Sequence, residues 1–326
     1  AYRNYFFRYA SEFGFQSFPC LKTVESFTLP QDRNVFSRIM ERHQRNGAAN
    51  GKIMNYLSQT FLYPKDFDSL LYASQLLQAE AIRYGVEHWR RNRGRCMGAI
   101  YWQLNDCWPV ASWASIDYYG RWKALHYAAR RFFAPVMISA QEEGEMTQRA
   151  SVNDFFRETD MEQSVALSVA NETRRPVSGA VLWALRDADG QILREGRWDV
   201  AVPALQSLWL PKLDFRDADL FRQYVSYAFV SEGQVVSEGS ALFTLPKHFH
   251  FHNPRLSCRV EGDEIVVSAQ AYARSVEIDC PDSDMVLSDN YFDLNAGERR
   301  VRILRGAPGT LCLRSVYDIS NLHDET

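Results

Sequence analysis

The sequence predicts a multidomain chain, an α/β part in front and all-β modules behind it, and three observations carry that prediction. At 326 residues and roughly 150 residues per domain, two or three domains are expected. Valine is unevenly distributed, with four in residues 1–135 and nineteen in the remaining 191. Val is stiff at its first side-chain torsion and suits a pleated surface better than a helix, so the first stretch should be helix-rich and the second strand-rich. The apolar spacing changes at the same place, from helical periodicity before Pro135 to alternation after it.

Within the first stretch, Tyr5 to Glu12 reads as a short strand, and Asn34 to Arg45 as a short helix carrying Val35, Phe36, Ile39 and Met40. Ser69 to Asn92 is the long helix. Leu70, Leu71, Leu77, Ala81, Tyr84 and Trp89 recur at roughly helical spacing, with Gln78, Glu80, Arg83 and Glu87 between them. Asp66, Asp68 and Ser69 cap its start, Arg90, Arg91 and Arg93 suit the negative end of its dipole, and Gly94 stops it. Gly98 to Leu104 is a short apolar run suited to a buried parallel strand, and a further helix is expected near Arg121–Phe133. Strand, helices, strand, helix is the order of an α/β sheet or barrel.

After Pro135, strands are expected at Ser164–Asn171, Gly179–Arg186, Gln206–Leu210, Val225–Ser231 and Val235–Thr244, separated by turns such as Asp189-Gly190 and Glu232-Gly233. Pro246 to Pro254 reads as a linker. A second set follows at Arg259–Val260, Glu264–Ala273, Ser275–Ile278, Arg299–Leu304 and Gly309–Val316. The spacing suits β-sandwiches.

Composition excludes several function classes. With 37 Lys and Arg against 40 Asp and Glu the net charge is −3, which gives no broad basic surface for nucleic acid. No run approaches the roughly 20 apolar residues that cross a bilayer, and Ala1 to Ser17 has charges where a signal peptide has an apolar core. Cys20, Cys96, Cys107, Cys258, Cys280 and Cys312 include no pair at redox or zinc-ribbon spacing, so buried reduced thiols in a cytoplasmic protein are expected. The sequon Asn171-Glu-Thr is a frequent chance match. The chain starts at Ala1 rather than Met, which suggests a piece of something longer.

Two segments carry chemistry. In Ser11-Glu12-Phe13-Gly14-Phe15-Gln16-Ser17 a carboxylate follows an apolar strand, and the carboxyl ends of parallel strands are where substrate-facing groups project. Taken alone it equally fits a solvated loop glutamate. Tyr101 to Pro109, Trp113, and Ile116 to Trp122 set Trp102, Trp108, Trp113 and Trp122 among Gln103, Asn105, Asp106 and Asp117. Aromatic faces beside donors and acceptors suit a sugar, whose C–H face stacks while its hydroxyls need partners; taken alone, the segment also fits an aromatic packing cluster.

Arg8-Tyr-Ala-Ser-Glu-Phe-Gly-Phe-Gln-Ser17 resembles the nucleophile segment of glycoside hydrolase family 2. Tyr101-Trp-Gln-Leu-Asn-Asp-Cys-Trp-Pro109 and Ser115-Ile-Asp-Tyr-Tyr-Gly-Arg-Trp-Lys-Ala-Leu-His126 resemble the last barrel strand and helix of its β-mannosidase branch. The resemblance implies the last two strands and helices of a (β/α)8 barrel over residues 1–135, then two small immunoglobulin-like β-sandwiches at 136–246 and 247–326. It implies a retaining mechanism with Glu12 as nucleophile, Trp102 stacking under the sugar, and Asn105 and Asp106 reaching its hydroxyls. The substrate implied is a β-mannoside, with no cofactor, and the upstream domains of the same protein are the expected partner. Arg8 would be a local cation for Glu12 if no bulge breaks the strand alternation between them.

The family's acid/base is a glutamate preceded by asparagine, well upstream of the nucleophile. The one Asn-Glu pair here, Asn171-Glu172, falls in the expected sandwich. The fragment alone is therefore expected to be inactive. Two other readings compete: another family 2 glycosidase, acting on galactosides or glucuronides, and a non-catalytic carbohydrate-binding or structural module. His248, His250 and His252 share one face of an extended segment, but Phe249 and Phe251 would then anchor inward and leave the histidines in water, so no metal site is expected.

Overall fold

The computed structural model describes residues 2–147 and 162–322. Two compact units share the chain and are interleaved in sequence. One contains residues 10–84, 99–130 and 252–326, and the other residues 1–9, 85–98 and 131–251.

The first of these units opens with strand β1 (Ala10–Phe13), followed by helices α1 (Leu21–Glu25), α2 (Arg38–Arg42), α3 (Ala49–Thr60) and the first part of α4 (Phe67–Arg91). Strand β2 (Ala99–Tyr101) pairs with β1 in parallel, and α5 (Ala124–Phe132) begins here. Phe18, Val24, Val35, Met40, Ile53, Leu71 and Ala111 form a buried cluster beneath α1–α4. Helix α4 starts where expected because the Asp66 carboxylate accepts the Ser69 amide at 2.7 Å, and Gly94, at φ 98°, turns the chain after its last residues.

Three expectations in this region need correction. Helix α2 covers only five residues. Asn34 instead accepts the Phe36 amide with its side chain, and Ser37 is the N-cap of the helix, accepting from Met40. Tyr5 to Tyr9 is not strand, since the carbonyls of Tyr5, Phe6 and Arg8 accept from Trp89 Nε1, Arg95 Nε and the Met97 amide rather than from a ladder. Strand β2 is not buried. Among the described residues its one partner is β1, and Ile100 is 52% exposed.

The same unit ends in a β-sandwich. Its strands are β11 (Ser257–Glu261), β12 (Glu264–Ala269), β13 (Ala273–Asp279), β14 (Val286–Leu287), β15 (Phe292–Leu294), β16 (Gly297–Arg305) and β17 (Cys312–Arg314), in sheets ordered β11-β12-β16-β14 and β15-β13-β17. The run expected as one strand over Glu264–Ala273 breaks after Ala269, where the Gln270 amide turns to the Pro254 carbonyl.

The second unit is built on β3 (Val136–Glu143), β4 (Ser164–Asn171), β5 (Val177–Asp187), β6 (Ile192–Val202), β7 (Gln206–Trp209), β8 (Leu213–Asp214), β9 (Gln223–Ser231) and β10 (Gln234–Leu242). Antiparallel sheets β3-β4-β7, with β8 beside β4, and β10-β9-β5-β6 enclose Val165, Leu167, Val169, Val181, Val225, Phe229 and Phe243. The β9–β10 turn has Glu232 at φ 51° and Gly233 at φ 76°, two left-handed central residues that match strand twist.

All six cysteines are free. Cys96 and Cys280 are buried as expected, but Cys107 and Cys312 are exposed. Among the described residues no helix is long and apolar enough to cross a membrane.

Candidate active site

Glu12 sits on an irregular strand. Ala10 pairs with Ala99 and Phe13 with Tyr101, so β1 advances three residues while β2 advances two. The extra residue makes a bulge, the device that bends a strand and re-aims its side chains. Both Ser11 and Glu12 are exposed. The bulge also removes the alternation argument for Arg8, which lies before the strand begins.

Trp102 is anchored beside this bulge. Its amide donates to the Phe13 carbonyl at 2.8 Å, while its ring stays 48% exposed. The Trp102–Gln103 peptide bond is cis. Beyond it, Gln103 donates through Nε2 to the Asn105 carbonyl at 3.0 Å, and Asn105 is exposed, bridged to Ile116 through its backbone. Asp106 is different. It is buried beneath the loop, accepting from Ser112 Oγ at 2.7 Å, and burial raises its carboxyl above the usual range. Glu12, Trp102 and Asn105 thus lie on exposed loop or strand, with Asp106 under them.

The two segments singled out from the sequence come together through groups that periodicity does not reveal. Ser17 and Ser112 exchange backbone hydrogen bonds at 3.0 and 3.3 Å. Gln78, fully buried on α4, donates through Nε2 to the carbonyls of Phe15 at 2.8 Å and Trp113 at 3.0 Å, and accepts from Ser17 Oγ at 2.7 Å. One side chain therefore ties the Glu12 segment to the tryptophan segment. Behind β2, Tyr101 Oη and His126 Nδ1 both contact Ser115 Oγ, at 2.8 and 3.1 Å. Burial lowers the His126 pKa and raises that of Tyr101. A polar residue inside an apolar helical stripe, as Gln78 is, was the available signal.

The remaining candidates serve the second unit. Glu172 is ion-paired with Arg93 and, at 3.8 Å, with Arg90. Asn171 is buried, donating to the carbonyls of Arg175, Val202 and Pro203, so the sequon asparagine is a structural group. Phe249 is buried as expected, but His248 is not simply in water: its Nδ1 lies 3.2 Å from Glu145 Oε1. Among the described residues, no cluster of His, Cys, Asp or Glu could hold a metal ion.

Residues 163–248 match the Mannosidase Ig/CBM-like domain family model, and residues 251–319 an Ig-fold domain model of mannosidases. A β-mannosidase of Rattus norvegicus is 36% identical over 151 residues, covering 42% of this chain and 17% of its own length. β-Mannosidase B of Thermothelomyces thermophilus is 28% identical over 322 residues, covering 89% of this chain and 36% of its own. The chain thus spans little more than a third of the longer-matching of these relatives. Among solved structures, the β-D-mannosidase of Dictyoglomus thermophilum superposes with a TM-score of 0.81 at 24% identity, over 96% of this chain and 38% of that one. The exo-chitosanase CsxA of Amycolatopsis orientalis superposes at 0.64 and 15% identity, over 93% and 39%. The two β-modules match mannosidase-type domain models, and these similarities support a C-terminal portion of the glycoside hydrolase family 2 β-mannosidase type.

Proposed function

We propose that the chain supplies the nucleophile and the aromatic sugar platform of a retaining β-mannosidase, whose acid/base glutamate comes from another part of the parent protein. Residues 1–135 would be the closing part of its (β/α)8 barrel, and 136–246 and 247–326 its two terminal β-sandwich domains. The observation that carries the reading is the bulged β1: it projects Glu12, and the carbonyl of the next residue holds the Trp102 amide at 2.8 Å.

In this reading Glu12 attacks the anomeric carbon and forms a glycosyl-enzyme, while a second carboxyl group about 5–5.5 Å away first protonates the leaving oxygen and then activates water. Trp102 stacks on the sugar's C–H face and Asn105 binds hydroxyls. Asp106 contributes from beneath, through the loop that carries both. The substrate is a terminal β-linked mannose. Without the acid/base group, the 326-residue chain alone is inactive.

The test is hydrolysis of aryl β-mannoside, β-galactoside and β-glucuronide by the parent enzyme, its Glu12→Gln variant and the isolated chain. Cleavage of the mannoside by the parent, lost by about four orders of magnitude in the variant, supports the reading, since removing a nucleophile leaves little of the rate enhancement. An unaffected variant, or a parent that prefers another sugar, overturns the nucleophile or the sugar assignment respectively. Turnover by the isolated chain would overturn its predicted inactivity.

A further inference from the structure

A lysine is buried beneath the candidate site. Lys123, directly before α5, is 3% exposed, and its Nζ lies 3.4 Å from the Ser17 carbonyl. Asp106, 7% exposed, uses Oδ1 to accept from Ser112 Oγ; its Oδ2 is buried without a hydrogen bond. Ser17 and Ser112 are bonded to each other through their backbones. Three contacts link the four residues, Lys123 to Ser17, Ser17 to Ser112 and Ser112 to Asp106, and the Asp106 carboxyl acts electrostatically on the Lys123 amine. Ser17 belongs to the Glu12 segment and Asp106 to the Trp102–Asp106 loop.

The charges facing this pair are few. Asp117, Cys20 and Asp106 act on Lys123, and Asp117 and Arg45 act with Lys123 on Asp106. Asp117 is already occupied, accepting from the amides of Tyr119 and Arg121 and from the Thr23 hydroxyl. The Cys20 thiol is pushed up to about 11 by burial and so is neutral. Asp106 is thus the carboxylate left to balance Lys123.

Such a pair is a poor way to gain stability. Burial drives the Lys123 amine down to about 8, so its charge is held at a cost near neutral pH. Buried ion pairs can often be replaced by apolar groups of similar volume with no loss of stability. Local features that work against stability are expected where a functional site needs them.

Resting on the proposed function, we infer that Lys123 and Asp106 are positioning residues: their opposite buried charges, one on each side of the Ser17–Ser112 junction, fix that junction and thereby set Trp102 and Asn105 in register with Glu12. Neither side chain touches the sugar.

The experiment uses the parent enzyme and the variants Lys123→Met and Asp106→Asn. Lys123→Met leaves the Asp106 carboxyl buried without its cation and should lower the Tm, whereas the double variant Lys123→Met/Asp106→Asn should recover much of that loss. The kcat of Lys123→Met on the aryl mannoside should fall about ten- to a hundredfold with KM little changed, as misplacement of reacting groups does. The wild-type kcat should also fall on an alkaline limb near pH 8, and that limb should vanish in Lys123→Met. Asp106→Asn should lower kcat similarly, and the double variant should lose less than the product of the two.

Hydrogen exchange on the 326-residue chain gives a readout independent of activity. Peptides spanning residues 12–18 and 101–113 should exchange faster in Lys123→Met, with protection elsewhere unchanged. Wild-type kcat and pH profile in Lys123→Met, alongside an inactive Glu12→Gln, would overturn this inference and leave the proposed function standing. Unchanged exchange at both peptides overturns it even if the parent cleaves none of the sugars. Uniformly faster exchange along the chain, with no excess at these two peptides, would show a merely structural role and overturn it as well.

Discussion

A methyl group on Gly14 would lie 2.7 Å from the carbonyl oxygen of Trp102 and 2.9 Å from Trp113 Cδ1. The residue two places after Glu12 must therefore be small for the tryptophan loop to close over it. The constraint is one of distance, and it couples the carboxylate's strand to the aromatic platform through backbone contact.

Gly14→Ala tests that coupling. The displaced group is peptide backbone, which cannot rotate away as a flexible side chain can, so the variant should lose about 1–3 kcal/mol of stability, as overpacked positions do. In the parent enzyme, mannoside hydrolysis should fall at least ~tenfold, mainly in kcat, because Trp102 shifts relative to Glu12. Urea unfolding and steady-state kinetics measure the two effects. Wild-type values in both would mean that the loop yields without cost.

How much of this was legible in the sequence depends on whether a residue's role is set by its neighbours in the chain. Helix α4 and strands β4, β5 and β9 follow from apolar spacing. Strand β6 was missed although Trp198, Val200 and Val202 alternate with Arg197, Asp199 and Ala201, because Ile192 to Glu195 at its start are all exposed and break the pattern. The bulge under Glu12 is a matter of register with β2 and has no local signature. Glu12, Trp102 and Asn105 were singled out through the resemblance of their segments, and the structure leaves all three exposed. The partners of Gln78 and Lys123 were not legible, since a polar side chain among apolar helix neighbours, or just before a helix, does not tell which distant backbone it meets.

Arg314 offers a test of how the terminal sandwich holds the first turn of α4. Its guanidinium pairs with Glu277 through Nε and with Asp68 through Nη1 at 2.7 Å, and lies 4.5 Å from the Tyr72 ring centroid. Glu277 is buried and also accepts from Tyr291 Oη at 2.6 Å. Burial raises the Glu277 carboxyl, against the pull of Arg314. Arg314→Met would leave that carboxylate unbalanced and should cost about 3–5 kcal/mol, whereas adding Glu277→Leu should recover most of the loss. Urea denaturation of the two variants decides it. A cost below about 1 kcal/mol for the single variant would mean the pair behaves like an exposed one.

His88 predicts an acid sensitivity. It is 2% exposed near the end of α4, with the Phe6 ring edge-on at 4.8 Å and Asn92 Nδ2 at 3.5 Å from Nδ1. Burial, reinforced by the positive charge of Arg91, pushes its pKa down to about 4 from the ordinary 6.5. Below about pH 6.5 the unfolded chain therefore takes up a proton at this residue that the folded chain refuses until about pH 4. Stability is at its full value above that window and falls as pH drops through it, by about 2–3 kcal/mol. His88→Gln cannot take up the proton in either state, so the difference in unfolding free energy between wild type and variant should shrink by that amount between about pH 7.5 and pH 4.5. Carboxylates that titrate in the same range cancel in this difference, because both proteins carry them. Parallel pH profiles for the two proteins would show that the folded ring takes up its proton as readily as the unfolded one.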